Sequence, residues 1–169
     1  MKAWAGCTVI HNLNRASLFV FSSTRGWAMQ LRDILLHKGR EVFTCSPSDS
    51  LPQAIGCLVE HNIGSLVVME DERMAGIITE RDMLRACNSG EGSVTGQKVH
   101  DRMTREPVIG SLDDDIEHVM GVMTEHRIRH LPVIDGEELV GLVSIGDVVK
   151  AHHAELSQEN HYLKCYIHG

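Results

Sequence analysis

The chain has 169 residues, 43% of them apolar and 4% aromatic, with 23 acidic against 16 basic side chains and a net charge of −7. That length suits one domain of ordinary size or two intimate half-domains, and the apolar share is enough for a core. The negative balance argues against non-specific nucleic-acid binding, and no apolar run approaches the roughly 18 residues of a membrane span.

In chain order, residues 1–28 stand apart. No Asp or Glu precedes Asp33, while Lys2, Arg15, Arg25 and several Ser and Thr do. An acid-free, basic, hydroxyl-bearing leader has the composition of an organellar transit segment. The other reading is an extension outside the fold, or an upstream start codon with Met29 as the true start. A secretory signal fits less well, because His11, Asn12, Asn14 and Arg15 interrupt any apolar stretch. The expected location is the cytoplasm, or an organellar matrix if residues 1–28 are a transit segment. Five cysteines, at 7, 45, 57, 87 and 165, form no CxxC and are odd in number. They read as reduced thiols of an intracellular protein, mostly small core residues.

Beyond the leader the chain repeats itself. Offset by 65 residues, 43–86 aligns with 108–151 without a gap, with identities that include Ser46/Ser111, Asp49/Asp114, Gly76/Gly141, Asp82/Asp147 and Ala86/Ala151. Two copies point to a pseudo-twofold pair rather than a solenoid. Before each copy a short helix is predicted, "MQLRDILLH" ending at Gly39 and "KVHDRM" ending near Pro107. Each copy then opens with a short extended piece, Val42–Cys45 or Val108–Gly110. An amphipathic helix follows, with Leu51, Ala54, Ile55, Leu58 and Val59, and later Ile116, Val119, Met120, Met123 and Thr124, at i, i+3, i+4, i+7 and i+8. Asp49 and Asp114 stand where N-cap residues belong. Two strands come next, Ser65–Met69 with Met74–Thr79 and His130–Ile134 with Leu139–Ser144, joined by the polar turns "EDER" and "DGEE". A second helix starts at Glu80 and at Ile145. Each βαββα unit is too small to bury its own core comfortably. The expected fold is therefore α+β, two pseudo-twofold-related βαββα units packed sheet to sheet with helices outside. The expected divisions are an extension at 1–28, a first unit at 29–87, a Gly- and Ser-rich mobile linker at 88–97, a second unit at 98–155 and a C-terminal helical tail at 156–169.

The chemistry-bearing signal lies at the second helix of each copy. The chain reads Gly76-Ile77-Ile78-Thr79-Glu80-Arg81-Asp82 and Gly141-Leu142-Val143-Ser144-Ile145-Gly146-Asp147. A hydroxyl followed three residues later by an acid, where a strand turns into a helix, is a capping box. The same geometry serves a ligand: free N–H groups and a positive dipole end favour anions, and a carboxylate can accept two hydrogen bonds from a vicinal diol such as ribose. The copies also differ in charge. Where the first reads "EHNIGSLVV", Glu60–Val68, the second reads "EHRIRHLPV", Glu125–Val133, so Arg127, Arg129 and His130 replace Asn62, Gly64 and Ser65. These side chains either face solvent or supply phosphate-binding charge, for which the Arg fork is suited. His61 and His126 read as helix-end features. His152 and His153 diverge on a helix and make no metal pair. Met120 and Met123 belong to a core stripe.

With "GIITERD", "GLVSIGD" and "RHLPV" in two complete copies, the chain resembles a tandem pair of CBS domains, the Bateman module, over about residues 29–168. It is most similar to short stand-alone CBS pairs, whose ends resemble "ENHYLKCYIHG". The resemblance implies a cleft for adenosine-containing ligands: AMP, ADP or ATP, sometimes NAD or S-adenosylmethionine. It also implies two candidate pockets. One has Asp147 and Ser144, with Ile145 and Val108 as apolar contacts and Pro132 near the base. The other has Asp82 and Thr79, with Val42, Ile63 and Ser65 around the base. Arg81, Arg127, Arg129 and His130 would meet phosphates. Homodimers of modules are implied as well, through a face that could include Leu58–Val59 and Met123–Thr124, with a partner protein reading the ligand state. Neither nucleic acid nor membrane is an expected partner. No GxSxG, P-loop, metal cluster or nucleophile–base pair is present, so an enzyme is not expected. A ligand-free adaptor that mediates oligomerisation is the alternative function.

Overall fold

The computed structural model describes residues 8–11, 29–88 and 94–168. The transit-segment reading, half of the Gly- and Ser-rich linker and Cys7 fall largely or wholly outside them. The fold is α+β, with two small sheets and helices, and it forms two compact units.

In the first unit, β1 (Thr8–His11), β2 (Glu41–Cys45), β3 (Ser65–Glu70) and β4 (Arg73–Thr79) form one sheet in that order. Strands β2 and β3 run parallel with Thr44 opposite Val67, and β3 and β4 form a hairpin with Ser65 opposite Thr79. A parallel pair needs a crossover, supplied here by α2 (Leu51–His61). Helices α2 and α3 (Glu80–Asn88) bury Leu51, Ala54, Leu58, Met83 and Ala86 with Leu66, Val68 and Ile78 of the strands. The expected helix at "KVHDRM" is only a short 3₁₀ turn, Val99–Asp101. Strand β1 lies within the stretch read as a leader outside the fold. Its β-branched Thr8, Val9 and Ile10 suit a pleated edge, it pairs antiparallel with β2, and it covers that strand's open side.

In the second unit, β5 (Gly110–Ser111), β6 (His130–Asp135) and β7 (Glu138–Ser144, which belongs to this unit from Val140 on) form the sheet, with α1 (Leu31–Lys38), α4 (Ile116–Glu125) and α5 (Ile145–His168). Its buried side chains include Leu31, Leu35, Ile116, Val119, Met123, Leu131, Val133 and Val143. Helix α5 is continuous through residue 156, where a separate tail was expected.

Several local expectations shift. The α2 cap is Ser50, whose hydroxyl accepts the Gln53 backbone N–H at 3.4 Å while the Gln53 side-chain Oε1 accepts the Ser50 N–H at 2.9 Å. The α4 cap is Asp115, which accepts the Glu117 N–H at 2.8 Å. Asp49 and Asp114 act earlier in the chain, bracing turns through the N–H groups of Ser46 and Ser111 at 2.7 and 2.8 Å. Leu58 and Met123 are core residues, so of the apolar positions proposed for an oligomer face only Val59 is largely exposed. Cys57 is disulfide-bonded, which corrects the reading of every cysteine as a reduced thiol; Cys45, Cys87 and Cys165 are free.

The compact units do not follow chain order. Helix α1, counted with the first copy from sequence, belongs to the second unit. Leu31 N–H donates to the Asp114 carbonyl and Arg32 N–H to that of Leu112, both at 3.0 Å, and Ile116 N–H donates to the Met29 carbonyl at 3.1 Å. The Arg32 guanidinium pairs with Asp113. Reciprocally, Val99 N–H donates to the Asp49 carbonyl at 2.9 Å, and Thr104 exchanges two backbone bonds with Ile77 on β4 at 2.9 and 3.0 Å. Gly76 and Gly141 make these close approaches possible, because a Cβ on either would strike the Thr104 carbonyl or the Leu35 methyls. The backbone bonds of Leu31 and Val99 to Asp114 and Asp49 correspond, yet 31 and 99 differ by 68 where the repeat offset is 65. The segment before the first copy is thus three residues longer, and α1 has an added last turn ending at Lys38.

Candidate functional site

Both helix-start motifs form as the spacing predicts. In the first unit the Asp82 carboxylate accepts the Thr79 N–H at 3.0 Å and the Thr79 hydroxyl at 2.6 Å. Asp82 is among the few charged residues that are buried. Its other oxygen lies 3.5 Å from the Arg85 guanidinium, one turn along the same helix. Glu80 N–H donates to the Gly64 carbonyl at 3.1 Å, which ties the start of α3 to the entry of β3. Ser65, the next residue, faces Thr79 across the hairpin. It is only 2% exposed, and its hydroxyl has no hydrogen-bond partner. An unpaired buried hydroxyl is costly enough to need a reason. The parallel register, continued two residues back from Thr44, brings Val42 level with Ser65. Ile63, half-buried, packs on the same core. Ile63, Ser65, Thr79 and Asp82 thus cluster around the β3–β4–α3 junction, and Arg81 lies on the exposed side of the first turn of α3.

The second unit repeats the construction. Asp147 accepts the Ser144 N–H at 2.8 Å and the Ser144 hydroxyl at 2.7 Å, and its own N–H returns to that hydroxyl at 3.2 Å. Ile145 N–H donates to the Arg129 carbonyl at 2.9 Å, so Arg129 is held by its backbone at the start of α5. Its side chain and that of Arg127 are exposed, His130 is half-buried and Pro132 is buried. Strand β6 pairs with β5 only from Val133 onward, whereas β3 pairs with β2 from Val67, the counterpart of Pro132. A residue without an N–H accounts for the lost rung. Arg127 holds φ 54°, matching φ 52° at its counterpart Asn62. Asn adopts this left-handed geometry readily and Arg does not. Val108 is the last residue of its segment in the first compact unit.

One residue at this site escaped the sequence reading. The Lys38 ammonium, from the added turn of α1, pairs with the same Asp147 oxygen that Ser144 bonds. Partial burial pushes the Asp147 carboxyl up, but the Lys38 and Ser144 hydrogen bonds and the Lys38 charge outweigh it and leave the carboxyl below its ordinary value. A separation of 109 residues hides this contact from any local pattern. The available signal was the three-residue excess before the first copy.

Comparison with known proteins agrees with this construction. The CBS domain profile matches residues 31–89 and 99–154. The CBS domain-containing protein CBSX3, mitochondrial, of Arabidopsis thaliana is 37% identical over 148 residues, covering 82% of this chain and 72% of its own. The crystal structure of a CBS-domain-containing protein from Agrobacterium tumefaciens aligns with a TM-score of 0.71 at 38% identity, over 73% of this chain and 99% of that one. CBSX2, crystallised in complex with AMP, aligns with a TM-score of 0.60 at 28% identity, over 67% of this chain and 89% of that one.

Proposed function

The chain belongs to the CBS domain family, and on that premise we propose that it is a non-catalytic regulatory module that binds an adenosine-containing ligand through Asp82 and Asp147. The observation that carries the reading is the duplicated junction: in each unit a carboxylate is fixed at a helix start by the cap residue's N–H and hydroxyl. Such a carboxylate is pre-oriented for a ribose diol, and the adjacent helix N-terminus favours phosphate. The unpartnered Ser65 hydroxyl supports a polar ligand atom at the first junction. The AMP complex of CBSX2 supports the ligand class. AMP, ADP and ATP are the leading candidates, with NAD next. Arg81, Arg127, Arg129 and His130 would meet the phosphates, while Val42, Ile63, Val108, Pro132 and Ile145 would surround the base and sugar.

Regulation requires the ligand to bind one conformation or assembly better than another, and a partner protein to read the difference. The alternative, an adaptor acting through oligomerisation, is favoured by Leu156, Leu163 and Tyr166, exposed along the last turns of α5. Thermal shift with AMP, ADP, ATP, NAD and S-adenosylmethionine decides between the two. Stabilisation by at least one of them, reduced by Asp82→Ala or Asp147→Ala, supports the sensor; none by any ligand favours the adaptor. The acid-free leader and the mitochondrial relative support an organellar matrix over the cytoplasm. Residues 1–28 fused to a fluorescent protein would show whether they direct import.

A further inference from the structure

The two helix-start acids share their cap bonds and differ in their counterions. Among the described residues, the cation beside Asp82 is Arg85, one turn along its own helix, at 3.5 Å and with a side chain 71% exposed. Asp147 has Lys38, delivered from a different helix by a turn with no equivalent before the second copy. Both members of that pair are about two-thirds buried, at 33% and 27% exposed. The ammonium sits on the oxygen that already accepts both Ser144 bonds. A ribose diol approaching this carboxylate competes with an ammonium seated on the capped oxygen; one approaching Asp82 meets a largely exposed guanidinium at longer range, on the oxygen that Thr79 leaves free.

We propose that Lys38 is a specificity-determining residue of the Asp147 site: a ligand must draw its ammonium off the carboxylate, so the site selects phosphorylated nucleosides over plain ones. This inference rests on the functional reading above. An uncharged nucleoside that takes the carboxylate leaves the lysine unpaired in a half-buried setting. A phosphate offers the displaced ammonium a new anion within the sweep of its flexible four-carbon stem. The two sites then differ in kind. The Asp82 site tolerates an uncharged nucleoside, and the Asp147 site reads the phosphate.

Calorimetry with adenosine and AMP tests this on the full chain carrying Asp82→Ala, which leaves the Asp147 site to report. Lys38→Met should tighten adenosine and weaken AMP, lowering the ratio of AMP to adenosine affinity about 2- to 5-fold, the size of one partly exposed ion-pair interaction. Lys38→Arg, which keeps the charge, should preserve the ratio. In an Asp147→Ala background, where only the Asp82 site remains, Lys38→Met should change neither ligand. Equal changes for both ligands would reduce the lysine to a structural tie and overturn the inference, as would a ratio change that persists without Asp147. Binding of neither ligand by wild type and all variants would instead overturn the functional reading, and the inference with it.

Discussion

A double-mutant cycle on Lys38 and Asp147 isolates the contact that distinguishes the second unit. Asp147→Ala removes the acceptor of the Ser144 N–H and hydroxyl and the partner of Lys38. Loss of a cap interaction of this kind costs about 1–2 kcal/mol. The ion pair, a third exposed, adds only about 0.5–1 kcal/mol after solvent screening. The single variant should therefore lose about 2 kcal/mol, a fall of roughly 4–8 °C in Tm for a chain of this size. Lys38→Met alone should lose about 0.5–1 kcal/mol, and nothing further once Asp147 is gone. The pH dependence has a fixed sign. The folded carboxyl lies below its ordinary 3.8, so the pair stabilises fully above that value and its contribution is lost as pH falls through the lower folded value. Urea denaturation of the four proteins at about pH 7 and about pH 3 measures the coupling. Additive losses at neutral pH, or a coupling that grows on acidification, would refute the pairing.

Leu35→Ala, in α1, should cost about 2–4 kcal/mol, because Leu35 is 1% exposed and packs on Gly141. Hydrogen exchange should show the loss in α4, β6 and β7; protection lost mainly in α2 and β3 would contradict the assignment of α1. Arg127→Asn should raise stability by about 0.5–1 kcal/mol in denaturant, since Asn accepts φ 54° more readily. Burial, and then the nearby Asp49 charge, pushes the Cys45 thiol up to about 12. Thiol reagents at about pH 8 should therefore modify exposed Cys87 and Cys165 and spare Cys45 in the folded protein.

The repeat and both helix-start motifs were legible because each rests on local spacing: a 3.6-residue stripe, a polar hairpin turn, and a hydroxyl three residues before an acid. The caps of α2 and α4 were displaced by one residue because two cap-competent side chains stand side by side at each start, Asp49-Ser50 and Asp114-Asp115. Both are used, one for the turn and one for the helix. What was not legible depends on distant pairing. Strand β1 is four residues long and gains stability only from the open edge of β2. The grouping of α1 depends on backbone bonds to residues 112–116, and no periodicity within α1 names that partner. The disulfide at Cys57 likewise has no signal in a cysteine pattern without close spacing.

Asp82 and Asp147 are poor probes of ligand binding taken alone, since each also caps a helix and its removal loosens the fold. Ser65 separates the two roles. Its hydroxyl is buried, makes no hydrogen bond and lies across the hairpin from Thr79. Leaving a buried polar group unsatisfied costs about 1–3 kcal/mol, so Ser65→Ala should be neutral to stabilising in the ligand-free protein. If the hydroxyl meets a nucleotide, the same change should weaken binding about 3- to 10-fold, the worth of one hydrogen bond. Calorimetry and urea denaturation on the same variant read the two effects with opposite signs. A Ser65→Ala protein that is destabilised by more than about 1 kcal/mol would mean the hydroxyl serves the fold. One that is equally stable and binds AMP as wild type does would place the ligand elsewhere than the β3–β4–α3 junction.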